Sequence, residues 1–174
     1  SEERRQQYYE LITRESDRLA RLMERVLDFS RMEEGRKQYR FERVETGSWL
    51  RGLAEDFRSE AEAQGGSVAA DLADALPPLV ADREALTTAV HNLLDNALKY
   101  SPGCRTVWLS AEQADGRLTI RVRDRGMGVS QEDRRRIFDK FYRGQDEAAR
   151  QVKGVGLGLA LVKQIVAAHG GSVD

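Results

Sequence analysis

The chain has 174 residues, of which 40% are apolar and 33% charged, a composition that suits one globular domain with an appendage and well-solvated helix surfaces. A formal net charge of −1 gives no general attraction to nucleic acid or to an anionic membrane surface. A single cysteine, Cys104, excludes an internal disulfide and fits a reducing cytoplasm; as a small strand residue it carries no redox role.

Residues 1–34 contain neither proline nor glycine and predict one long helix. Tyr8, Ile12, Leu19, Leu22, Val26 and Phe29 recur at three- and four-residue steps, interrupted only at Glu15, with arginines and glutamates outside the seam. So regular a heptad seam favours a dimerisation helix over an amphipathic helix packed on its own domain. Residues 35–40 read as a linker. Tyr39–Val44 alternates as a half-buried strand does, and Thr46 or Ser48 is positioned to cap a helix running to Gln64, with Leu50, Leu53, Ala54, Phe57 and Ala61 inward. Gly65-Gly66 ends it. Short strands are expected over 67–72 and 79–81.

Asp82 opens the next helix, with Leu86, Val90, Leu93, Leu94 and Ala97 inward and an end at Ser101-Pro102-Gly103. A hairpin is expected over 105–113 and 117–123 around Asp115-Gly116, then a short helix over 130–138. Residues 144–153, polar and without apolar anchors, read as a mobile lid. A last helix is expected over 155–168, stopped by Gly170-Gly171. Helices on one face of a mixed sheet make this α+β, a two-layer α/β sandwich preceded by a coiled-coil-like helix. No run approaches the ~20 apolar residues of a membrane helix and no signal peptide is present, so these residues are expected to be soluble and to make no membrane contact.

Three short segments carry the chemistry. In Asn92-Leu-Leu-Asp-Asn96-Ala-Leu-Lys99-Tyr100 two amides lie one helical turn apart with an ammonium nearby, a set that suits a metal ion bridging phosphates. Asparagine is a poor interior helix residue, so two of them four apart point to a task. Asp124-Arg-Gly126-Met-Gly128 ends a strand with a carboxylate and two glycines that admit a sharp turn or a close ligand. Gly154-Val155-Gly156-Leu157-Gly158 opens a helix whose unpaired N–H groups attract phosphate. In this order they describe a nucleotide pocket. Lys99 would meet phosphate as a point charge, and Tyr100 either borders the nucleotide or packs in the core.

With Ile137-Phe138-Asp-Lys-Phe141-Tyr-Arg143 between the second and third segments, the set resembles the Bergerat-type ATP-binding domain, and more narrowly the catalytic domain of sensor histidine kinases. Asn92–Tyr100 resembles its N box, Asp124–Gly128 and Gly154–Gly158 its two glycine boxes, and Ile137–Arg143 its F box. The resemblance implies ATP and Mg²⁺ as ligands, Asn92 and Asn96 on the metal, and Asp124 accepting the adenine amino group. It implies room for the purine at Gly126 and Gly128, with phosphates wrapped by the Gly154–Gly158 backbone. Arg143 either offsets charge on the γ-phosphate or is a surface arginine beside the lid, which Phe138 and Phe141 anchor in the core.

The first helix resembles the second helix of the kinase dimerisation hairpin, giving domains at 1–34 and 41–174. The phosphoacceptor histidine would lie upstream, and the sequence ends inside what the family finishes as a strand. His91 reads as a packed core residue and His169 as a cation at a helix C-terminus; neither sits in a phosphoacceptor motif. The implied activity is transfer of the ATP γ-phosphoryl to a hairpin histidine and then to a response-regulator receiver domain, in a homodimer whose parent protein is anchored in the bacterial inner membrane. As given, the chain would bind ATP without phosphorylating itself. The competing readings are an ATP-binding module without catalysis and an ATP-hydrolysing Bergerat-fold ATPase; relatives of the second kind place a general-base glutamate where Asn92 stands.

Overall fold

The structure, a computed structural model, describes residues 37–144, 152 and 154–174, together with 4–6, 8, 9, 12, 13, 16, 20, 23, 26, 27 and 30. It divides into two compact units, Ser1–Gln38 and Tyr39–Asp174. In the first, every described residue from 4 to 30 is helical and exposed, including Tyr8, Ile12, Met23, Val26 and Leu27. Leu19, Leu22 and Phe29 of the expected seam lie outside the described residues.

The second unit begins with strand β1 (Glu42–Val44) and helix α1 (Thr46–Ala63). Strands β2 (Ser67–Leu72) and β3 (Leu79–Ala81) lead into helix α2 (Arg83–Lys99). Strands β4 (Thr106–Ala114) and β5 (Arg117–Arg123), a single 3₁₀ turn at Asp133–Arg135 and helix α3 (Gly158–Ala168) complete it. The sheet β2-β4-β5 is mixed: β2 runs parallel to β4 with Val68 opposite Val107, and β4 antiparallel to β5 with Ala114 opposite Arg117. A separate antiparallel ribbon pairs β1 with β3. The hairpin closes on two residues that both take positive φ, Asp115 at 52° and Gly116 at 74°, as a turn matching strand twist requires.

Helices α1, α2 and α3 pack with this sheet around a core whose fully buried side chains include Leu50, Phe57, Leu94, Leu98, Val107, Leu109, Val162 and Ile165. Each such side chain contributes ~1.5–3 kcal/mol of burial free energy. The expected inner face of α1 is buried in full, and Trp49 joins it, its indole Nε1 donating to Thr87 Oγ1 of α2 at 2.8 Å. Leu93 and the inward β5 residues Leu118, Ile120 and Val122 are only half-buried. Cys104 precedes β4 instead of lying on it.

Neither Thr46 nor Ser48 caps α1. Glu45 holds the N-cap position, Thr46 Oγ1 donates to the Pro77 carbonyl at 2.6 Å, and Ser48 Oγ donates to the Glu45 carbonyl. Asp82 does cap α2, its Oδ1 accepting from Ala85 N at 2.9 Å. The short helix expected over 130–138 reduces to the 3₁₀ turn, because the carbonyl of Asp133 accepts from both Arg136 N and Ile137 N and its side chain is drawn to Ser130 and Tyr142. Helix α3 starts at Gly158 and not at 155, since Gly156 adopts φ 76°, outside any right-handed helix. Both α1 and α3 end in left-handed glycines, Gly65 and Gly170, each with the paired 5→2 and 6→1 bonds of a Schellman cap.

At the start of this unit, His169 at the end of α3 meets Asp82. His169 Nε2 accepts from Asp82 N at 3.0 Å while Nδ1 faces the Ile165 carbonyl at 2.7 Å and therefore carries the proton. Both ring nitrogens are engaged in the pattern of a neutral imidazole, not of the cation expected from its helix position. Its ring packs on Tyr39 and Phe41, at centroid distances of 5.4 and 5.0 Å. Asp82 Oδ2 also accepts from Arg40 N at 2.9 Å. Burial, then the Asp82 charge, pushes the Tyr39 phenol above its ordinary pKa.

Candidate functional site

The last two turns of α2 supply the first group. Asn92 and Asn96 are half-buried on one face. Asn92 Nδ2 donates to the Thr88 carbonyl at 2.8 Å, a bond that turns Oδ1 away from its own helix. Facing it is Gly158, the first residue of α3: a Cβ there would stand 3.0 Å from Asn92 Oδ1 and 3.7 Å from Asn96 Nδ2. Gly158 and these two asparagines, more than sixty residues apart in sequence, thus lie so close that an added Cβ would crowd Asn92 Oδ1.

The second segment meets the first at the C-terminal end of α2. A Cβ on Gly126 would lie 2.2 Å from the Tyr100 carbonyl oxygen, and Met127 N donates to that same oxygen at 3.1 Å. Asp124 is exposed; its Oδ1 accepts from Gly126 N at 2.7 Å and faces Ser101 Oγ at 3.4 Å, which leaves Oδ2 as the outward acceptor among the described contacts. Ser101 is fully buried, and the sequence offered only its place in a helix-ending Ser-Pro-Gly to mark it. Gly128 sits at φ 72°.

Lys99 Nζ pairs with Asp95 Oδ2 at 2.5 Å, one turn back on α2, so its ammonium is tied to a carboxylate of its own helix. Tyr100 is the C-cap of α2 and half-buried. In the third segment Gly156 is locked against the residues after the 3₁₀ turn. Its carbonyl accepts from Phe141 N at 2.9 Å, and a Cβ on it would stand 2.7 Å from Tyr142 O. Leu157 is buried, Val155 half-buried and Gly154 exposed.

Arg143 donates from Nη2 to the Val152 carbonyl at 2.6 Å, joining the two described ends of the segment expected as a lid. That segment's residues 145–151 and 153 lie outside the described residues. Phe138 is half-buried, whereas Phe141 is 62% exposed and does not anchor anything in the core. The cause is backbone: Phe141 has φ 59°, which directs its ring outward while its N–H reaches Gly156. His91 stands apart from this cluster. It is half-buried, edge-on to Phe57 at 5.3 Å and 2.9 Å from Glu60 Oε2 across to α1.

Chemically, the cluster offers two asparagine amides, a paired lysine, an exposed carboxylate and a glycine turn opening a helix, whose N–H groups favour an anion. Among the described residues no group of three or more His, Cys, Asp or Glu side chains forms a metal cage. An ion here would take amide oxygens and ligand oxygens, as Mg²⁺ does. The orientation of Asn92 Oδ1 and the space kept by Gly158 fit that use.

Comparison with known proteins bears on the family of this chain. Residues 81–174 match the family described as histidine kinase-, DNA gyrase B-, and HSP90-like ATPase. The chain is 31% identical over 165 residues to the sensor protein RprX of Bacteroides fragilis, covering 94% of this chain and 32% of that protein. It is 31% identical over 166 residues to the sensor-like histidine kinase SenX3 of Mycolicibacterium smegmatis, covering 95% and 43%. The chain therefore spans less than half the length of these curated relatives. Among solved structures, full-length ShkA in complex with AMPPNP superposes with a TM-score of 0.75 at 32% identity, over 88% of this chain and 32% of that one. The mycobacterial sensor histidine kinase MprB superposes at 0.61 and 30% identity, over 75% and 81%. With more than half its length inside the family match and sensor kinases as its relatives, the chain belongs to the histidine kinase-, DNA gyrase B- and HSP90-like ATPases, as a catalytic domain of the sensor histidine kinase type.

Proposed function

We propose that this unit binds Mg·ATP between the last turns of α2, the Asp124–Gly128 turn and the Gly154–Gly158 turn. In the intact protein it would pass the γ-phosphoryl to a histidine of a dimerisation hairpin. The observation that carries the reading is the fit of Gly158 against Asn92 and Asn96, which brings the Asn92 amide oxygen and the Asn96 amide to the N-terminal end of α3. The complex of ShkA with AMPPNP supports the same ligand class.

In this reading the outward Oδ2 of Asp124 accepts from the adenine amino group, which a guanine carbonyl could not satisfy. Gly126 and Gly128 keep the purine's edge clear of side chains, and Tyr100 borders it. The backbone of Gly154, Val155, Gly156, Leu157 and Gly158 holds the phosphates by N–H donation and by the dipole of α3. Asn92 and Asn96 would hold Mg²⁺, which would neutralise phosphate charge when bound. Lys99 adds a fixed positive charge beside them, and Arg143 sits where charge develops on the γ-phosphate. An amide at Asn92 cannot take a proton from water as a carboxylate can, so transfer to an imidazole fits this site better than hydrolysis.

The exposed apolar residues of the first unit's helix suit the second helix of a homodimeric hairpin, with residues 1–34 as that helix, 35–40 as linker and 41–174 as the ATP-binding domain. A response-regulator receiver domain would accept the phosphoryl group. Among the described residues no helix is long and apolar enough to cross a membrane. The placement proposed, from the resemblance to sensor kinases, is the cytoplasmic side of the bacterial inner membrane.

The test is calorimetric titration with a non-hydrolysable ATP analogue and Mg²⁺, beside Asp124→Asn. The variant keeps an oxygen for Gly126 N but turns an NH₂ donor toward the adenine amino group. Loss of at least about tenfold in affinity is expected. Equal binding by both proteins would remove Asp124 from the pocket, and no binding by either would remove the pocket.

A further inference from the structure

Asp133 is 7% exposed, yet it belongs to none of the nucleotide motifs. Its carboxylate accepts from Ser130 Oγ at 2.8 Å and from the Tyr142 hydroxyl, and Ser130 Oγ accepts in return from Asp133 N at 3.1 Å. The guanidinium of Arg136 lies over the Tyr142 ring, 4.2 Å from its centroid. A buried carboxylate is costly unless its lone pairs are filled, so the phenol is held firmly in place.

The position of Tyr142 matters because of what its backbone touches. The Tyr142 carbonyl and the Phe141 backbone form the wall against which Gly156 packs, and Phe141 N donates to the Gly156 carbonyl. Phe141 holds φ 59°, a conformation that is unfavourable for a non-glycine residue and persists only where its surroundings fix it. Two residues beyond Gly156, Gly158 rests on Asn92 and Asn96. Contacts therefore run without a break from the Asp133 carboxylate, through Tyr142 and Gly156, to the amides at the phosphate end of the pocket.

We propose that Asp133 and Tyr142 are positioning residues: their buried hydrogen bond sets the Gly154–Gly158 turn at the height where its N–H groups meet the nucleotide phosphates. This rests on the nucleotide reading above and adds to it residues that touch no ligand. It separates the two ends of the pocket. The adenine end depends on Asp124 and the Tyr100 backbone, which lie outside the described contacts of this network; the phosphate end depends on the turn it holds.

The experiment is to titrate the whole chain, and its Tyr142→Phe and Asp133→Asn variants, with AMPPNP plus Mg²⁺ by calorimetry and with adenosine by ligand-observed NMR, beside a thermal melt of each. Tyr142→Phe keeps the ring and its packing, so it is the variant expected to fold if Asp133→Asn does not. Removal of the hydroxyl should weaken AMPPNP roughly tenfold and leave adenosine within twofold. AMPPNP affinity within twofold of the parent in a folded Tyr142→Phe would overturn the proposal. So would equal losses for AMPPNP and adenosine, which would make the bond a purely structural one. Failure of the nucleotide reading would look different, because the unsubstituted chain would then bind neither ligand, and the proposal would fall with it.

Discussion

Gly126 and Tyr39 carry consequences that belong to single side chains. At Gly126 a methyl group would have to occupy a point 2.2 Å from the Tyr100 carbonyl oxygen and 2.8 Å from the carbonyl carbon, both backbone atoms at the end of a packed helix. Neither can swing aside as a long side chain can. Gly126→Ala should therefore lower unfolding free energy by more than about 2 kcal/mol in a denaturant titration. A loss below ~0.5 kcal/mol would mean that the Asp124–Gly128 turn is not seated on α2. At Tyr39 the consequence is a pH dependence. Its phenol titrates above the ordinary 10.0 because the phenolate would be partly buried and would face the Asp82 carboxylate. With the folded-state pKa raised, this stability is fully present below the unfolded value and is lost as pH rises through the folded one. Melting temperature should thus fall more steeply above about pH 10 than for Tyr39→Phe, whose curve over the same window should be flatter. Parallel curves for the two proteins would refute the raised phenol pKa.

Among the elements, helix ends show best how chain chemistry fixes geometry. Gly170 has φ 72° and no atom within 4 Å of where a Cβ would stand, so its replacement by alanine tests backbone preference alone. Gly170→Ala should cost about 1 kcal/mol, measured as a shift in denaturation midpoint without a change in slope. A neutral result would mean that α3 does not end in the left-handed cap. Ends of this sort were legible in the sequence because the cause is local: Gly65-Gly66, Gly170-Gly171, Asp115-Gly116 and Asp82 each act within a few residues. Legibility fails where a distant partner decides. Residues 130–138 have the composition of a short helix, but Asp133 spends its side chain on Tyr142, nine residues on, and the winding tightens to one 3₁₀ turn. Thr46 looks like a cap and instead reaches Pro77. His169 looks like a cation at a helix end and instead accepts from Asp82 N, eighty-seven residues away. The candidate site divides the same way. The one-turn spacing of Asn92 and Asn96 could be read directly; the meeting of Gly158 with Asn92, the burial of Ser101 and the Asp133–Tyr142 bond could not, since nothing in the linear order announces them.

For the molecule as a whole, the proposed pocket, assembled from three separated segments, would tie ligand binding to global stability. Its parts come from the end of α2, the turn after β5 and the start of α3, and all three assume their relative positions only when the sheet and the α2–α3 packing are in place. The unfolded chain therefore has no comparable affinity, and ligand should stabilise the folded state by RT ln(1 + [L]/Kd). At a hundred times Kd that is about 2.7 kcal/mol, a rise of several degrees in melting temperature for a unit of this size. If amide oxygens at Asn92 and Asn96 hold Mg²⁺ between protein and phosphates, the gain from an ATP analogue should shrink sharply when the cation is chelated. Asn96→Ala should shrink it as well, while changing the ligand-free melt by no more than a half-buried polar residue on a helix allows. Scanning calorimetry of the parent and Asn96→Ala proteins, each with analogue alone, with analogue and Mg²⁺, and with neither, separates the two contributions. An undiminished shift after chelation would place the phosphates on N–H groups and Lys99 alone. The asparagines would then be left as packing for Gly158.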